Sequence, residues 1–292
     1  MTLALIVNPS AGGGKAGRTL GDVRAELTRL GLEHHAELTR SLDHARELAR
    51  QAAAAGETAV AFGGDGLVGA VAEALSGCDG VLGVLPGGRG NDFARTLGIP
   101  RQPVPACEVL RIGVARSLDL GDVDSHAYVG IASCGFDSVA NRIANETRLV
   151  RGNLVYAYGL LRALVSWKPA TFTIELDGGE VRTVHGYSVA AANSKFFGGG
   201  MMLAPDASLQ DGLLEIVIIG DAPRLRYLVL APTVFRGEHV GQPNVEVIRS
   251  SSVRISASRE FTLYADGDPI AELPVTVTAR PAAVRTIVPA FR

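Results

Sequence analysis

Three short apolar runs in the first hundred residues each break directly into a glycine-rich loop, and this constrains the fold more than any other feature of the chain. Residues 3–7 run into Asn8-Pro9-Ser10-Ala11-Gly12-Gly13-Gly14-Lys15, residues 58–62 into Gly63-Gly64-Asp65-Gly66, and residues 81–85 into Pro86-Gly87-Gly88-Arg89-Gly90-Asn91-Asp92. Helical spacing lies between them. Leu20, Val23, Leu27 and Leu30 recur on one helical face, and a helix with Asp43 as its N-cap carries Ala45, Leu48, Ala49 and Ala52 before Gly56 closes it. Residues 32–39 read as a further strand and residues 68–75 as a further helix. Strands alternating with helices predict a parallel, Rossmann-like sheet covered on both faces. Ligands of such sheets bind beyond the carboxyl ends of the strands, where all three loops fall.

The pattern changes near residue 121. A long helix is expected over residues 147–167. Segments of period two follow at 171–176, 181–191, 213–219, 253–257, 261–265 and 273–278, separated by turns such as Asp177-Gly178-Gly179 and Asp266-Gly267. This predicts an antiparallel β-sandwich. The expected organisation is an α/β nucleotide-binding domain over residues 1–120, with 283–292 returning to it, and a β-rich substrate domain over residues 121–282.

Charge and cysteine usage narrow the function classes. The chain has 28 Lys plus Arg against 30 Asp plus Glu, a net charge of −2, and no basic run. No electrostatic grip on nucleic acid is expected. Cys78, Cys107 and Cys134 are isolated and lack CxxC spacing, which suits a reducing cytoplasm and gives no zinc site. The first apolar run has no basic flank and ends in a turn, so it reads as a strand rather than a signal peptide. The stretch 154–167 is interrupted by Arg162 and falls short of the ~20 residues that span a bilayer. The six histidines form no ligand spacing and read as surface or packing residues, and Trp167, Tyr156 and Tyr158 read as core aromatics.

The loops carry chemistry of one kind. The first fails as a P-loop, because Pro9 and Ala16 stand where Gly and Ser or Thr are required. A strand, a glycine-rich turn and a helix N-terminus nonetheless suit phosphate contact. In the second loop, bare amides can form an anion-binding nest. Asp65 between them would repel phosphate unless a cation bridges the two, which suggests a nucleotide with Mg²⁺; a tight turn with an N-capping Asp is the plainer alternative. The third loop repeats the choice. Either its glycine amides and Arg89 lie near phosphates with Asp92 near a metal, or Asn91 or Asp92 simply caps the next helix.

Together the loops resemble the diacylglycerol kinase catalytic family, specifically the bacterial lipid kinases that are similar to sphingosine kinases. Asn8-Pro9, GGDGL at 63–67 and PGGRGNDFAR at 86–95 match the family's three loops. Gly135-Phe136-Asp137, Arg151-Gly152 with Tyr156-Ala157-Tyr158, Asn193 with Gly198-Gly199-Gly200 and Pro205, Asp211-Gly212-Leu213-Leu214 and Asp266-Gly267-Asp268 continue the match in order along the chain.

The resemblance implies ATP binding and transfer of the γ-phosphate to a lipid hydroxyl, such as that of diacylglycerol, by a cytoplasmic protein acting transiently at the inner face of the membrane. By position, Asn8, Pro9, Ser10, Ala11, Gly12, Thr39, Gly63, Gly64, Asp65, Gly66, Leu67, Val68, Gly69 and Arg89 would line the nucleotide. Asp65, Asp92 and Asp119 would hold catalytic Mg²⁺ through water. Asp266 would be the general base, with Asp268 the alternative. Asp211 with the carbonyls of Ser208 and Leu213 would hold a structural Mg²⁺ or Ca²⁺. The resemblance leaves a homodimer open. Leu67 and Arg89 each replace a family Thr, and Asp268 replaces a family Glu. Two other readings stay open: a kinase for a soluble substrate, since NAD kinases share a GGDG-type loop, and a nucleotide-gated lipid-binding regulator without catalysis.

Overall fold

A computed structural model of the chain describes residues 2–136, 162 and 167–290. In chain order the elements are β1 (Leu3–Val7), α1 (Ala11–Arg29), β2 (His34–Leu38), α2 (Leu42–Ala54), β3 (Thr58–Gly63), α3 (Asp65–Leu75), β4 (Val81–Pro86), α4 (Asp92–Thr96) and α5 (Pro103–Ile112). There follow β5 (Val114–Val123), β6 (His126–Tyr128), β7 (Ile131–Gly135), β8 (Ala170–Leu176), β9 (Val181–Ala192), β10 (Phe196–Phe197), β11 (Met201–Met202) and β12 (Leu214–Gly220). The chain ends with α6 (Arg224–Val234), β13 (Val245–Ser250), β14 (Ser252–Ala257), β15 (Thr262–Ala265), β16 (Asp268–Glu272) and β17 (Val275–Val288). It divides into two compact units. One comprises Met1–Leu120, Ala127–Val129 and Pro281–Arg292, the other Gly121–His126 and Gly130–Arg280.

In the first unit the strands lie in the order β2-β1-β3-β4-β17, all parallel. Strands β1 and β3 are buried along their whole length. That is why they read as unbroken apolar runs rather than as alternating ones: a parallel sheet covered on both faces has no polar side. The edge strand β2, His34-His35-Ala36-Glu37-Leu38, is half exposed and polar, as an unpaired edge requires. From β1 the chain steps one way to β2 and then the other way to β3. The reversal opens a crevice between the loops that follow β1 and β3. The last strand completes the sheet by pairing Arg285 with Val81 and Thr286 with Leu82.

The second unit is an antiparallel sandwich organised by β9. The carboxyl half of β9 pairs with β7 on one side and β12 on the other, and its amino half pairs with β8. One sheet continues through β15 and β16 and the other through β14 and the start of β17. The strand changes partners at Gly186, where a Cβ would lie 2.5 Å from the Ile219 carbonyl oxygen and the β12 register slips. Corners of this kind are made by bends and bulges. Ile131, Ala190, Ala192, Leu203, Ala204, Ala207 and Val217 fill part of the interior. Trp167 is buried among Phe136, Tyr187 and Phe261.

Several local expectations change. Ser41, not Asp43, caps α2, accepting from the His44 amide at 3.1 Å, while Asp43 sits in the first turn. Helix α3 begins at Asp65, three residues earlier than its apolar spacing indicates. Strands β5, β6, β7 and β13 were not marked by periodicity. The expected helix at 147–167, with Asp137, Arg151, Gly152, Tyr156, Ala157 and Tyr158, lies outside the described residues apart from residues 162 and 167. Among the described residues no helix is long and apolar enough to cross a membrane.

Candidate active site

The first unit brings the three glycine loops to one edge of the parallel sheet, because each follows the carboxyl end of β1, β3 or β4. Thr39 joins them: it follows β2, and its amide donates to the Val7 carbonyl at 2.7 Å. In the first loop, Asn8 Oδ1 accepts from the Ser10 amide and hydroxyl, at 3.1 and 2.8 Å, and closes the turn. Gly12, Gly13 and Gly14 then all have positive φ, at 61, 69 and 85°. Three successive left-handed residues are accessible only to glycine without steric penalty. Arg18 Nη1 closes the far side by donating to the Gly13 carbonyl at 3.1 Å.

The loops also touch one another through glycine. A Cβ on Gly12 would fall 2.5 Å from the Gly87 carbonyl oxygen, and one on Gly88 would fall 2.5 Å from Gly64 Cα. The amides of Gly87 and Gly88 donate to the Gly63 carbonyl at 2.7 and 3.0 Å. Gly88 also donates to Asn91 Oδ1 at 2.8 Å. These two amides therefore join loop to loop. Leu67 and Val68 need a correction. They are 2% and 3% exposed, and both amides donate to the Gly64 carbonyl at 3.1 Å, so neither side chain lines an open nucleotide surface.

Asp65 is the hinge of this arrangement. It does not cap its own helix, whose N-cap is Gly64. Its Oδ1 instead accepts from the Phe93 amide at 3.2 Å and so caps α4 on the neighbouring loop. Asn91, at the N-cap position of α4 with φ 51°, makes no capping bond of its own; its side chain turns back to clip Gly88. Burial pushes the Asp65 carboxyl above the ordinary aspartate range, and hydrogen bonds from the backbone of Phe93, Asp92 and Asn91 oppose the shift. Asp92 is buried at the start of α4, with Arg95 Nε 3.9 Å away. Asp119 is buried on β5, and its Oδ1 accepts from the Ala282 amide at 2.7 Å. Among the described residues no three acidic, thiol or imidazole side chains converge as a direct metal cage. Asp65 and Asp92 are hard oxygen donors on adjoining loops, a set that suits Mg²⁺ shared with phosphates and water. Arg89, on the third loop, is exposed.

In the second unit, Asp266 and Gly267 form the two-residue turn between β15 and β16, with φ 51 and 98°. Positive φ at both positions is the geometry that Asp-Gly favours in a hairpin. The turn alone does not account for the carboxylate, whose Oδ1 accepts from the amides of Gly130 and Ile131 at 2.9 and 3.3 Å. Asp268, the alternative base, is exposed at the start of β16. At the expected structural metal site, Asp211 Oδ1 accepts from the Leu213 amide at 3.1 Å, Ser208 Oγ accepts from the Gln210 amide at 3.2 Å, and Gly212 has φ 71°. The turn is thus closed by its own side chains. Arg249 Nε donates to Glu215 Oε1 at 2.8 Å nearby.

Two family models divide the chain as the architecture does. The diacylglycerol kinase catalytic domain matches residues 2–123, and the YegS C-terminal NAD kinase beta sandwich-like domain matches residues 130–288. The chain belongs to the diacylglycerol kinase catalytic family. It is a kinase by that membership. A diacylglycerol kinase of Mycobacterium tuberculosis is 33% identical over 291 residues, covering 97% of this chain and 94% of that one. A diacylglycerol kinase of Bacillus subtilis is 31% identical over 273 residues, covering 90% and 88%. The crystal structure of a diacylglycerol kinase from Bacillus anthracis shares the fold with a TM-score of 0.76 at 19% identity, over 98% of this chain and 96% of that one. An NAD kinase from Archaeoglobus fulgidus in complex with ATP shares it more distantly, with a TM-score of 0.51 at 14% identity, over 99% and 92%. For this diacylglycerol kinase family member, the structure adds Arg18 and Gly130 to the residues that motif reading singles out. Gly130 acts through its backbone amide on a residue 136 positions away, which leaves no spacing signal.

Proposed function

We propose that the chain is an ATP- and Mg²⁺-dependent lipid kinase that transfers the γ-phosphate of ATP to the hydroxyl of a lipid such as diacylglycerol, acting from the cytoplasm at the membrane surface. The observation that carries this reading is the gathering of three glycine loops at one sheet edge around the β1/β3 reversal, with Asp65 tying the second loop to the third. The 33% identity to a diacylglycerol kinase over nearly the whole chain supports the same reading. The loop at 8–14, Thr39 and the 63–66 turn bind and orient the nucleotide. Arg89 grips phosphate, and a guanidinium can do so bidentately. Asp65 and Asp92, with Asp119, hold Mg²⁺, which when bound neutralises charge developing on the transferring phosphoryl group. Asp266 accepts the proton of the lipid hydroxyl.

The test is transfer of labelled phosphate from ATP to a panel of lipids in mixed micelles, with NAD and sugar phosphates as soluble controls. A labelled lipid is the expected product. Label on NAD or a sugar, or on nothing despite measurable ATP binding, would overturn the reading.

A further inference from the structure

The backbone around Asp266 shows how its carboxylate is aimed. Asp266 sits at φ 51° in its tight turn, and its own amide donates to the Ile131 carbonyl at 3.3 Å. Its Oδ1 receives two amide hydrogens, from Gly130 at 2.9 Å and Ile131 at 3.3 Å, from a segment 136 and 135 positions away in sequence. The Gly130 peptide is itself fixed, because its carbonyl accepts from the amides of Asn193 and Ser194 at 3.0 and 3.1 Å. Gly130 does not have positive φ, so the turn geometry there does not call for glycine. The space does: a Cβ would lie 2.3 Å from Asp266 Oδ1, and the nearest other atom beyond that carboxylate is Ser194 Oγ at 3.9 Å. The missing side chain admits the carboxylate and nothing else.

We infer that Gly130 and Ile131 are positioning residues, an amide cradle that holds Asp266 Oδ1 and so aims the carboxylate that takes the proton of the acceptor hydroxyl. This rests on the lipid kinase reading and deepens it. In the step, the hydroxyl oxygen forms its bond to the γ-phosphorus while the bond from that phosphorus to the β-phosphate bridging oxygen breaks. ADP leaves with that electron pair, and the hydroxyl proton passes to the Asp266 carboxylate. Two amide hydrogens on Oδ1 both fix the plane of the carboxylate and lower the basicity of that oxygen.

Gly130→Ala tests the cradle. The added methyl must drive Oδ1 back by roughly 1 Å, and misplacement of that size costs on the order of 10²-fold in rate. The expected result is a kcat lowered by ~10²-fold with KM for ATP within about twofold of wild type, since the change touches the transition state and not nucleotide binding. If the contact is only a structural tie, Gly130→Ala lowers the melting temperature and leaves kcat per folded molecule unchanged, and the inference fails. A second measurement does not depend on that variant folding. In ligand-free wild type, the Gly130 and Ile131 amide resonances should shift together as the carboxylate is titrated with acid, and the shift should vanish in Asp266→Asn. Amides that do not report the titration would overturn the cradle. Wild type that labels no lipid would instead remove the kinase reading and the base role with it, while the amide titration still reads the cradle, so the two failures are distinguishable.

Discussion

Gly88→Ala is the sharpest test of how the three glycine loops are built. Gly88 does not have positive φ, so alanine fits its backbone conformation, and any effect comes from space alone. The new Cβ would fall 2.5 Å from Gly64 Cα, 3.2 Å from Gly64 N and 3.0 Å from Asn91 Oδ1. Gly64 is backbone and cannot swing away. Restoring ordinary contact requires the second and third loops to separate by about 1 Å, and overpacking of this kind costs ~1–3 kcal/mol. The separation also strains the Gly87 and Gly88 bonds to the Gly63 carbonyl. At roughly 2–4 °C per kcal/mol, the melting temperature should fall by roughly 2–12 °C. ATP binding, followed by calorimetry, should weaken by up to ~tenfold, since each ~1.4 kcal/mol taken up in reshaping the loops is a factor of ten. Gly21→Ala is the matched control. That site lies in α1 with open space around its Cβ and ordinary φ, so alanine there should stabilise by ~1 kcal/mol. A Gly88→Ala protein that melts and binds ATP like wild type would refute the close-approach reasoning.

The remaining predictions separate structure from chemistry. Asp65→Asn keeps an oxygen for the Phe93 amide and should hold stability within ~0.5 kcal/mol, whereas Asp65→Ala loses the α4 cap and should cost ~1 kcal/mol; both should lose phosphotransfer, and an active Asn variant would exclude a charge role. His239 is buried, with Nε2 against the Leu203 carbonyl at 3.1 Å, and burial lowers its pKa below the ordinary histidine value. The unfolded chain therefore binds the proton more readily. This contribution to stability is fully present above pH ~6.5 and is lost as pH falls below it, by at most ~1.4 kcal/mol per pH unit; denaturant midpoints of His239→Phe should show a shallower acid slope. Burial pushes the Cys107 thiol up to about 12, whereas Cys78 is exposed. A thiol reagent at pH 8 should therefore label Cys78 rapidly and leave Cys107 unmodified until the protein unfolds, as mass spectrometry of the labelled peptides would show.

Much of the first unit was legible because its physics is local. Residues 3–7 and 59–62 announce buried parallel strands by being wholly apolar, and the loops that follow announce themselves by glycines that only a sharp turn or close approach can use. The antiparallel order of the second unit was legible from alternation in 181–191 and from Asp266-Gly267. Strands β5 and β13 were not, because their burial changes along their length; β7 is buried throughout, but its small residues Ala132, Ser133, Cys134 and Gly135 carry no apolar run to read. Asp43 and Ser41 are both good caps on paper; the backbone at Ser41, extended at φ −159°, decides between them.

What the sequence determined by itself was composition with period: a βα half, a β half, the position of each glycine loop and the identity of each carboxylate. What only the tertiary structure decided was partnership. Gly88 meets Gly64 because the parallel sheet sets β4 beside β3, and Gly12 meets Gly87 across the end of β3, which lies between β1 and β4. Asp65 caps a helix 28 positions away, and Asp266 is held by amides 135 and 136 positions away. Hydrogen bonds to backbone are blind to the side chain of the donor, so they leave no residue type to read. Their lengths and angles exist only once the fold has closed the loops between them.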